Sequence, residues 1–316
     1  MNNVMDFSSI YISHFRIWFK RALKILLAFG GIFSYLFKPQ TGVRVLFYHR
    51  VNPYPFSELS LVSREISVTP EFFEQQLAYL KAKGYRSIDI TKLHRVLDGL
   101  EPADPKELLI TFDDGYEDNL IWAAPLLRKY GFGAIFFVVT EFIETGRAAD
   151  QLDYDSAASA LYHRFLSSEQ ITEMYRQGFL FGSHSRSHPD LIKLSDNELE
   201  AELNESHAFL ETEFAKKVTC FAYPRGLFDE RVMQATAEAG YALAFTTITG
   251  KNSALTNPMA LKRTEISASD NMYLFKMKMQ GALDWLSFKE SWYFRCIIDL
   301  TNELLIWLIS GSKAHR

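Results

Sequence analysis

Thr111-Phe112-Asp113-Asp114-Gly115-Tyr116 puts two adjacent carboxylates at the end of an apolar run, Leu108–Ile110. Burying two carboxylates is costly unless something uses them. One can bind a cation while the other stays free as a base. Asp and Gly also build plain solvated turns, so the motif is weak alone. A second motif, His184-Ser185-Arg186-Ser187-His188, follows the apolar run Phe179–Gly182. Histidines four apart meet on one face of a helical turn, a spacing that suits two imidazole ligands on one metal. A third, Phe221-Ala222-Tyr223-Pro224-Arg225-Gly226, reads as a strand-ending turn or as the wall of a substrate groove. In the second case the Arg225 guanidinium is available for a carboxylate or sugar oxygen. Each motif sits where a strand ends, and parallel α/β folds assemble their sites at that end. One Asp and two His on a shared rim would leave open positions on a metal, the pattern of a catalytic site. A metal lowers the pKa of bound water from near 16 toward about 7. The spare Asp would take the proton, and an ester or amide would be hydrolysed.

The elements that must position these residues alternate. Strand patterns fall at Val43–Tyr48, Ser87–Ile90, Leu108–Phe112, Ala134–Val139, Phe179–Gly182, Val218–Ala222, Ala242–Thr247 and Leu261–Ile266. Helical patterns lie at Glu71–Lys83, Leu120–Lys129, Ser168–Gln177, Ser195–Phe214 and Glu230–Ala239. Thr69-Pro70 marks a helix start, and Ser195 with Glu198 forms a capping box. This alternation predicts a mainly parallel sheet with helices outside, open or closed into a barrel. Residues 141–167 lack a clear period and are expected to form a lid or rim loop.

The chain has 316 residues, 48% hydrophobic and 23% charged, a balance that excludes a disordered tail, a collagen-like chain and a multi-pass membrane protein. A net charge of −4 argues against a nucleic-acid partner. Cys220 and Cys296 do not make a disulfide framework. The ends differ from the middle. Arg16, Lys20, Arg21, Lys24 and Lys38 face a single acid, Asp6, and Ile25–Phe37 is an uncharged apolar run. It is short for a spanning helix and suits one lying in the membrane interface. Trp292–Leu300 and Leu304–Ile309 repeat the theme at the other end. The expected organisation is a basic, apolar membrane-associating segment over 1–40, a catalytic domain over 41–268 and an amphipathic helical segment over 269–316.

Asp-Asp-Gly after a strand, His-Ser-x-x-His and then a Pro-centred turn resembles the NodB-homology polysaccharide deacetylases, carbohydrate esterase family four. The resemblance covers about residues 43–267. It implies a deformed (β/α) barrel and metal-dependent removal of N-acetyl groups from amino sugars, usually with zinc. It makes Asp113 the catalytic base and Asp114, His184 and His188 the metal ligands. Two motifs depart from the family. The third usually reads Arg-x-Pro-Tyr-Gly, its Arg orienting the base. Here Ala222 and Arg225 stand at the Arg and Tyr positions, leaving Arg225 or Arg263 as substitutes. The last motif's histidine, which protonates the leaving amine, is missing from Leu261–Ile266. His49, ending the first strand, resembles the early-strand histidine of the exopolysaccharide-deacetylase branch and is expected to act as the acid. Tyr116, Tyr223 and Pro224 join Arg225 and Arg263 as expected substrate-binding or base-orienting residues. His94, His163, His207 and His315 read as ordinary helix or surface residues.

The resemblance thus implies a hydrolase acting on an N-acetylated amino sugar, and the membrane-seeking ends separately suggest a sugar of a cell-envelope polysaccharide or a lipid-linked precursor, at the bacterial cell membrane. Its cofactor would be one divalent metal, zinc ahead of cobalt, nickel or manganese. Two other readings are a cyclic-amide or formyl hydrolase on the same scaffold, and a non-catalytic glycan-binding module.

Overall fold

A computed structural model describes residues 7–37, 41–145 and 164–290. The C-terminal runs expected to seek a membrane, Cys296, His163, His315 and most of the expected rim loop lie outside them.

The strands are β1 Val43–Tyr48, β2 Arg50–Val51, β3 Ser67–Val68, β4 Arg86–Ser87, β5 Glu107–Phe112, β6 Ile135–Val138, β7 Leu180–Ser183, β8 Cys220–Ala222, β9 Leu243–Phe245, β10 Lys251–Asn252 and β11 Thr264–Glu265. The α-helices are α1 Phe7–Phe37, α2 Leu61–Ile66, α3 Pro70–Ala82, α4 Ile90–Leu97, α5 Ala124–Tyr130, α6 Thr140–Thr145, α7 Ser168–Arg176, α8 Asp196–Phe214, α9 Glu230–Glu238 and α10 Met272–Met279. β1, β5, β6, β7, β8 and β9 are neighbours in that order, all parallel. Leu261 bridges Phe245 of β9, and Thr264 pairs with Leu46 of β1. Residues 261–265 therefore run from the last strand back to the first, and the sheet curls into a deformed barrel. Alternate strand residues serve two cores. Val45, Leu109, Phe137 and Phe245 pack in one; Leu46, Ile110, Phe136 and Ala244 pack in the other. Burial on both faces is why these strands read as unbroken apolar runs.

The helix starts obey their capping chemistry. Thr69 Oγ1 accepts from the Phe72 N–H at 3.2 Å, and Ser195 and Glu198 complete their box. Two local expectations change. Ile90, expected to end a strand, opens α4 instead, because Asp89 caps it by accepting from the Lys92 N–H at 2.7 Å. A π-turn over Asn119–Ala123 precedes α5, so the expected single helix from Leu120 is split.

α1 is a single long helix laid against the domain. Among the described residues no helix is long and apolar enough to cross a membrane. Its cations bond back to the domain. Arg21 donates to the Ser269 carbonyl at 3.1 Å, Lys24 to Ser269 Oγ at 2.7 Å, and Arg16 and Lys20 pair with Glu65. Ala28 is buried against Leu274, Met277 and Leu283, and the Trp285 indole donates to the Leu27 carbonyl. The outward face carries Phe15, Trp18, Phe19, Leu26 and Phe29, with Trp18 61% and Leu26 69% exposed. Phe275 and Met279 of α10 belong to the main core.

Candidate active site

β5 and β7 deliver the two charged motifs to one end of the barrel. The Asp113 N–H donates to the Tyr48 carbonyl at 2.9 Å, extending the β1–β5 ladder by one residue. The chain then turns sharply, with Asp114 at φ 73° and Gly115 at φ 75°. Left-handed backbone costs an L-residue about 1–2 kcal/mol, and Asp tolerates it better than most. Gly115 is needed for space as well: a Cβ there would lie 2.9 Å from Val138 Cγ1.

The histidine motif is not the helical turn its spacing suggests. It is a loop with Ser185 at φ 68° and His188 at φ 64°. Ser185 Oγ accepts from the His188 N–H at 3.0 Å, and Ser183 Oγ accepts from the Ser185 N–H at 3.1 Å. Glu202 of α8 grips the loop from outside. Its Oε2 accepts from the Arg186 and Ser187 N–H groups at 2.9 Å each, and its Oε1 from the Ser187 hydroxyl at 2.6 Å. This loop still brings the imidazoles together, ring centroids 4.9 Å apart.

Asp114 Oδ1 lies 3.4 Å from His184 Nε2 and 3.6 Å from His188 Nε2. Ligand atoms of the three side chains, all buried, lie within 4.8 Å of one another. Tetrahedral zinc, with ligands at about 2.0–2.2 Å, would hold them roughly 3.3 Å apart, so this donor set fits one divalent ion. His184 Nδ1 lies 2.7 Å from the Ala222 carbonyl oxygen. That contact needs an N–H, which leaves the Nε2 lone pair facing Asp114. Ala222, where the family's third motif has Arg, thus contributes only its carbonyl.

The electrostatics match that arrangement. Burial would raise the Asp114 carboxyl, but the surrounding imidazoles, His184 foremost, hold it well below its ordinary range. His188 is pushed down to about 3 by burial and by neighbouring His184, so it is neutral with a free lone pair near pH 7. Burial would lower His184, yet Asp114 and Asp113 more than offset that and raise it.

Asp113 stands apart from the ligand cluster. Arg263 grips it with two hydrogen bonds, Nη1 to Oδ1 at 2.7 Å and Nη2 to Oδ2 at 2.8 Å. The guanidinium is fully buried, packs over the Phe47 ring at 4.3 Å, and donates Nε–H to the Thr246 carbonyl at 2.8 Å. Burial works to raise Asp113, but Arg263 and His184 hold its carboxyl below 3.8. Arg225 goes elsewhere. It pairs with Asp190 at 2.7 Å and leaves Asp113 alone, although it lines the rim of the cavity.

The cavity is about 410 Å³ and takes in Asp113, Asp114, His184 and His188, with His49, Tyr116 and Arg225 around them. His49 is half-buried at the end of β1, its carbonyl accepting from Asn119 Nδ2 at 2.9 Å. Tyr116 is buried between Phe165 and the Arg50 guanidinium, which lies 4.4 Å from its ring and pairs with Asp118 at 2.7 Å. Tyr223 and Pro224 do not line the cavity. The Tyr223 hydroxyl donates to the Met259 carbonyl at 2.9 Å, and Pro224 opens a short 3₁₀ turn.

A basin at the C-terminal ends of parallel strands, with a buried Asp-His-His cluster beside an Arg-held carboxylate, defines a barrel hydrolase. Residues 101–244 match the family model described as polysaccharide deacetylase. The Bacillus subtilis protein YxkH, which bears that family's name, is 27% identical over 223 residues, 71% of each chain. The poly-beta-1,6-N-acetyl-D-glucosamine N-deacetylase of Staphylococcus aureus is 26% identical over 226 residues, 66% of this chain and 72% of that protein. The structure of the Streptococcus pyogenes deacetylase PplD in complex with acetate superposes with a TM-score of 0.65 at 28% identity, covering 75% of this chain and 98% of that one. The match to the polysaccharide deacetylase family thus spans residues 101–244 of this chain.

Proposed function

We propose that this protein hydrolyses the N-acetyl groups of an amino-sugar polysaccharide of the cell envelope, with a divalent metal, zinc by preference, held by Asp114, His184 and His188. The observation that carries the reading is the division of labour between two adjacent carboxylates. Asp114 points at the imidazole pair, while Asp113 is kept off it by the Arg263 fork. When bound, the metal supplies positive charge for the acetyl oxygen and lowers the pKa of a water. Asp113 accepts the proton of the attacking water, and Arg263 keeps that carboxylate ionised and aimed. His49, which also lines the cavity, gives a proton to the departing amine. Arg225, free of Asp113 and half-exposed at the rim, is placed to meet sugar oxygens. The Staphylococcus aureus relative points to β-1,6-linked N-acetylglucosamine as the polymer to try first. Acetate release from such oligomers by zinc-loaded protein, lost on chelation, is the expected result. Release of formate or ring-opening of a cyclic amide in place of acetate would reverse it.

We also propose that α1 rests on the membrane surface. Support comes from its outward row of Phe15, Trp18, Phe19, Leu26 and Phe29, flanked by the half-exposed cations Arg16 and Lys20. Vesicles containing anionic lipid should pellet the protein, and the triple variant Phe15→Ser, Trp18→Ser, Leu26→Ser should stay in the supernatant. Equal pelleting of both would refute it.

A further inference from the structure

A second cavity of about 390 Å³ adjoins the first. Ile66, Thr247 and Glu265 line both, so the two form one continuous trough. One wall of the second cavity is α1, through Lys20, Leu23, Lys24 and Leu27. Thr249, Ser267 and Ser269 face it, and Leu283 and Leu286 complete it. α1 lies outside residues 101–244, so this wall is an addition to the part that matches the family. It is fixed in place rather than loosely apposed, since Arg21 and Lys24 bond to the 267–269 segment and Arg64 Nη1 donates to Ser13 Oγ at 3.0 Å.

The chemistry of the trough selects its ligand. Every cation that lines it already faces an acid. Lys20 pairs with Glu65, Lys24 lies 3.6 Å from Glu265, and Lys278 lies 2.7 Å from Asp270. Asp284, the remaining acid of the lining, is held by Arg44 at 2.8 Å. Such a surface offers an anion no unpaired charge. It does offer hydroxyls and paired polar groups interleaved with Leu23, Leu27, Leu283 and Leu286. A pyranose ring, with an apolar C–H face and a rim of hydroxyls, matches that mixture. We infer that the trough between α1 and the barrel binds the uncharged sugar residues next to the one being deacetylated, so that the enzyme acts on chains and selects for their length. The inference rests on the deacetylase reading for the identity of the sugar.

The test uses zinc-loaded protein and β-1,6-linked N-acetylglucosamine oligomers of two and five residues. Binding is measured calorimetrically in the Asp113→Asn background, which keeps the metal ligands, and acetate release in the otherwise wild-type chain. The pentamer should bind at least about tenfold tighter than the dimer. Thr249→Trp and Leu23→Trp fill the trough from opposite walls, and either one should reduce that ratio to near unity. Two variants on separate elements guard against the misfolding of one. Equal binding of both oligomers by the unfilled protein, or a length preference that survives in both folded variants, would overturn the inference. So would a pyrophosphate-linked sugar, UDP-N-acetylglucosamine, binding tighter than the pentamer. A length preference abolished by the fillings, with no acetate released from any oligomer, would uphold the trough and sink the hydrolysis.

Discussion

Replacing Arg263 by Met would leave the Asp113 carboxylate buried without its partner. Asp113 is 2% exposed and takes two hydrogen bonds from this one guanidinium, at 2.7 and 2.8 Å. Removing one member of a buried pair costs about 3–5 kcal/mol of stability, since the other charge remains desolvated. Burial pushes this carboxyl up and the Arg263 charge is the first influence holding it down, so in the variant Asp113 should rise well above its wild-type position. A larger share of the variant than of the wild type would then hold a protonated base. General-base catalysis is worth about 10²–10⁴-fold, so kcat/KM on an N-acetylglucosamine oligomer should fall by at least about 10² at pH 7. The direction of the shift sets the sign. In the wild type the Asp113 carboxyl is held below its ordinary range, so it imposes no acid limb near neutrality. In the Met variant the acid limb moves to higher pH, and raising the pH restores part of the rate. Arg263→Lys keeps the charge but loses the fork, so its acid limb should stay low while kcat falls. The assay is acetate release from pH 5 to 9, with circular dichroism to confirm folding. A folded Arg263→Met variant within about threefold of wild type, with an unshifted profile, would refute the reasoning.

Two further outcomes are expected. Glu202→Ala strips acceptors from three donors of the histidine loop, and should weaken zinc binding by about 10–100-fold, the usual effect of losing a partner behind metal ligands; unchanged affinity by competition with a chelating dye would contradict it. Gly115→Ala forces a Cβ into left-handed backbone and against Val138, and should cost at least about 1–2 kcal/mol in urea unfolding while displacing Asp114; a variant as stable as wild type would show that the turn has room to give.

The site was legible because its residues are local in sequence. Asp113-Asp114 and His184 to His188 come directly after apolar runs that become β5 and β7, and parallel strands deliver the residues at their C-terminal ends to one rim. What failed was local geometry. The histidine spacing fits a helical turn, but Ser185 and His188 take left-handed backbone instead, held there by Ser and Glu202 contacts that the spacing does not encode. Glu202 lies in the acid-rich α8 with Glu200 and Glu205, and nothing in that pattern marks it as the one gripping the loop. Arg263 and Arg225 were equal candidates for Asp113 because the choice depends on barrel curvature, which brings together residues 150 apart. α4 was hidden because Ile88 and Ile90 alternate as strand residues would, and only the Asp89 cap marks the helix start. For α1 the sequence shows an amphipathic pattern of cations and aromatics. Which face meets the protein depends on Glu65, Ser269 and Asp270, distant in the chain.

The central claim is that neighbouring carboxylates hold different offices, and zinc content measured alongside acetate release tests it most directly. Wild type, Asp113→Asn and Asp114→Asn would be purified alike, loaded with zinc and dialysed. The account predicts zinc and acetate release in the wild type, zinc retained with release slowed at least about 10²-fold in Asp113→Asn, and both lost in Asp114→Asn. Near-normal release from Asp114→Asn, or zinc lost from Asp113→Asn but kept by Asp114→Asn, would contradict it.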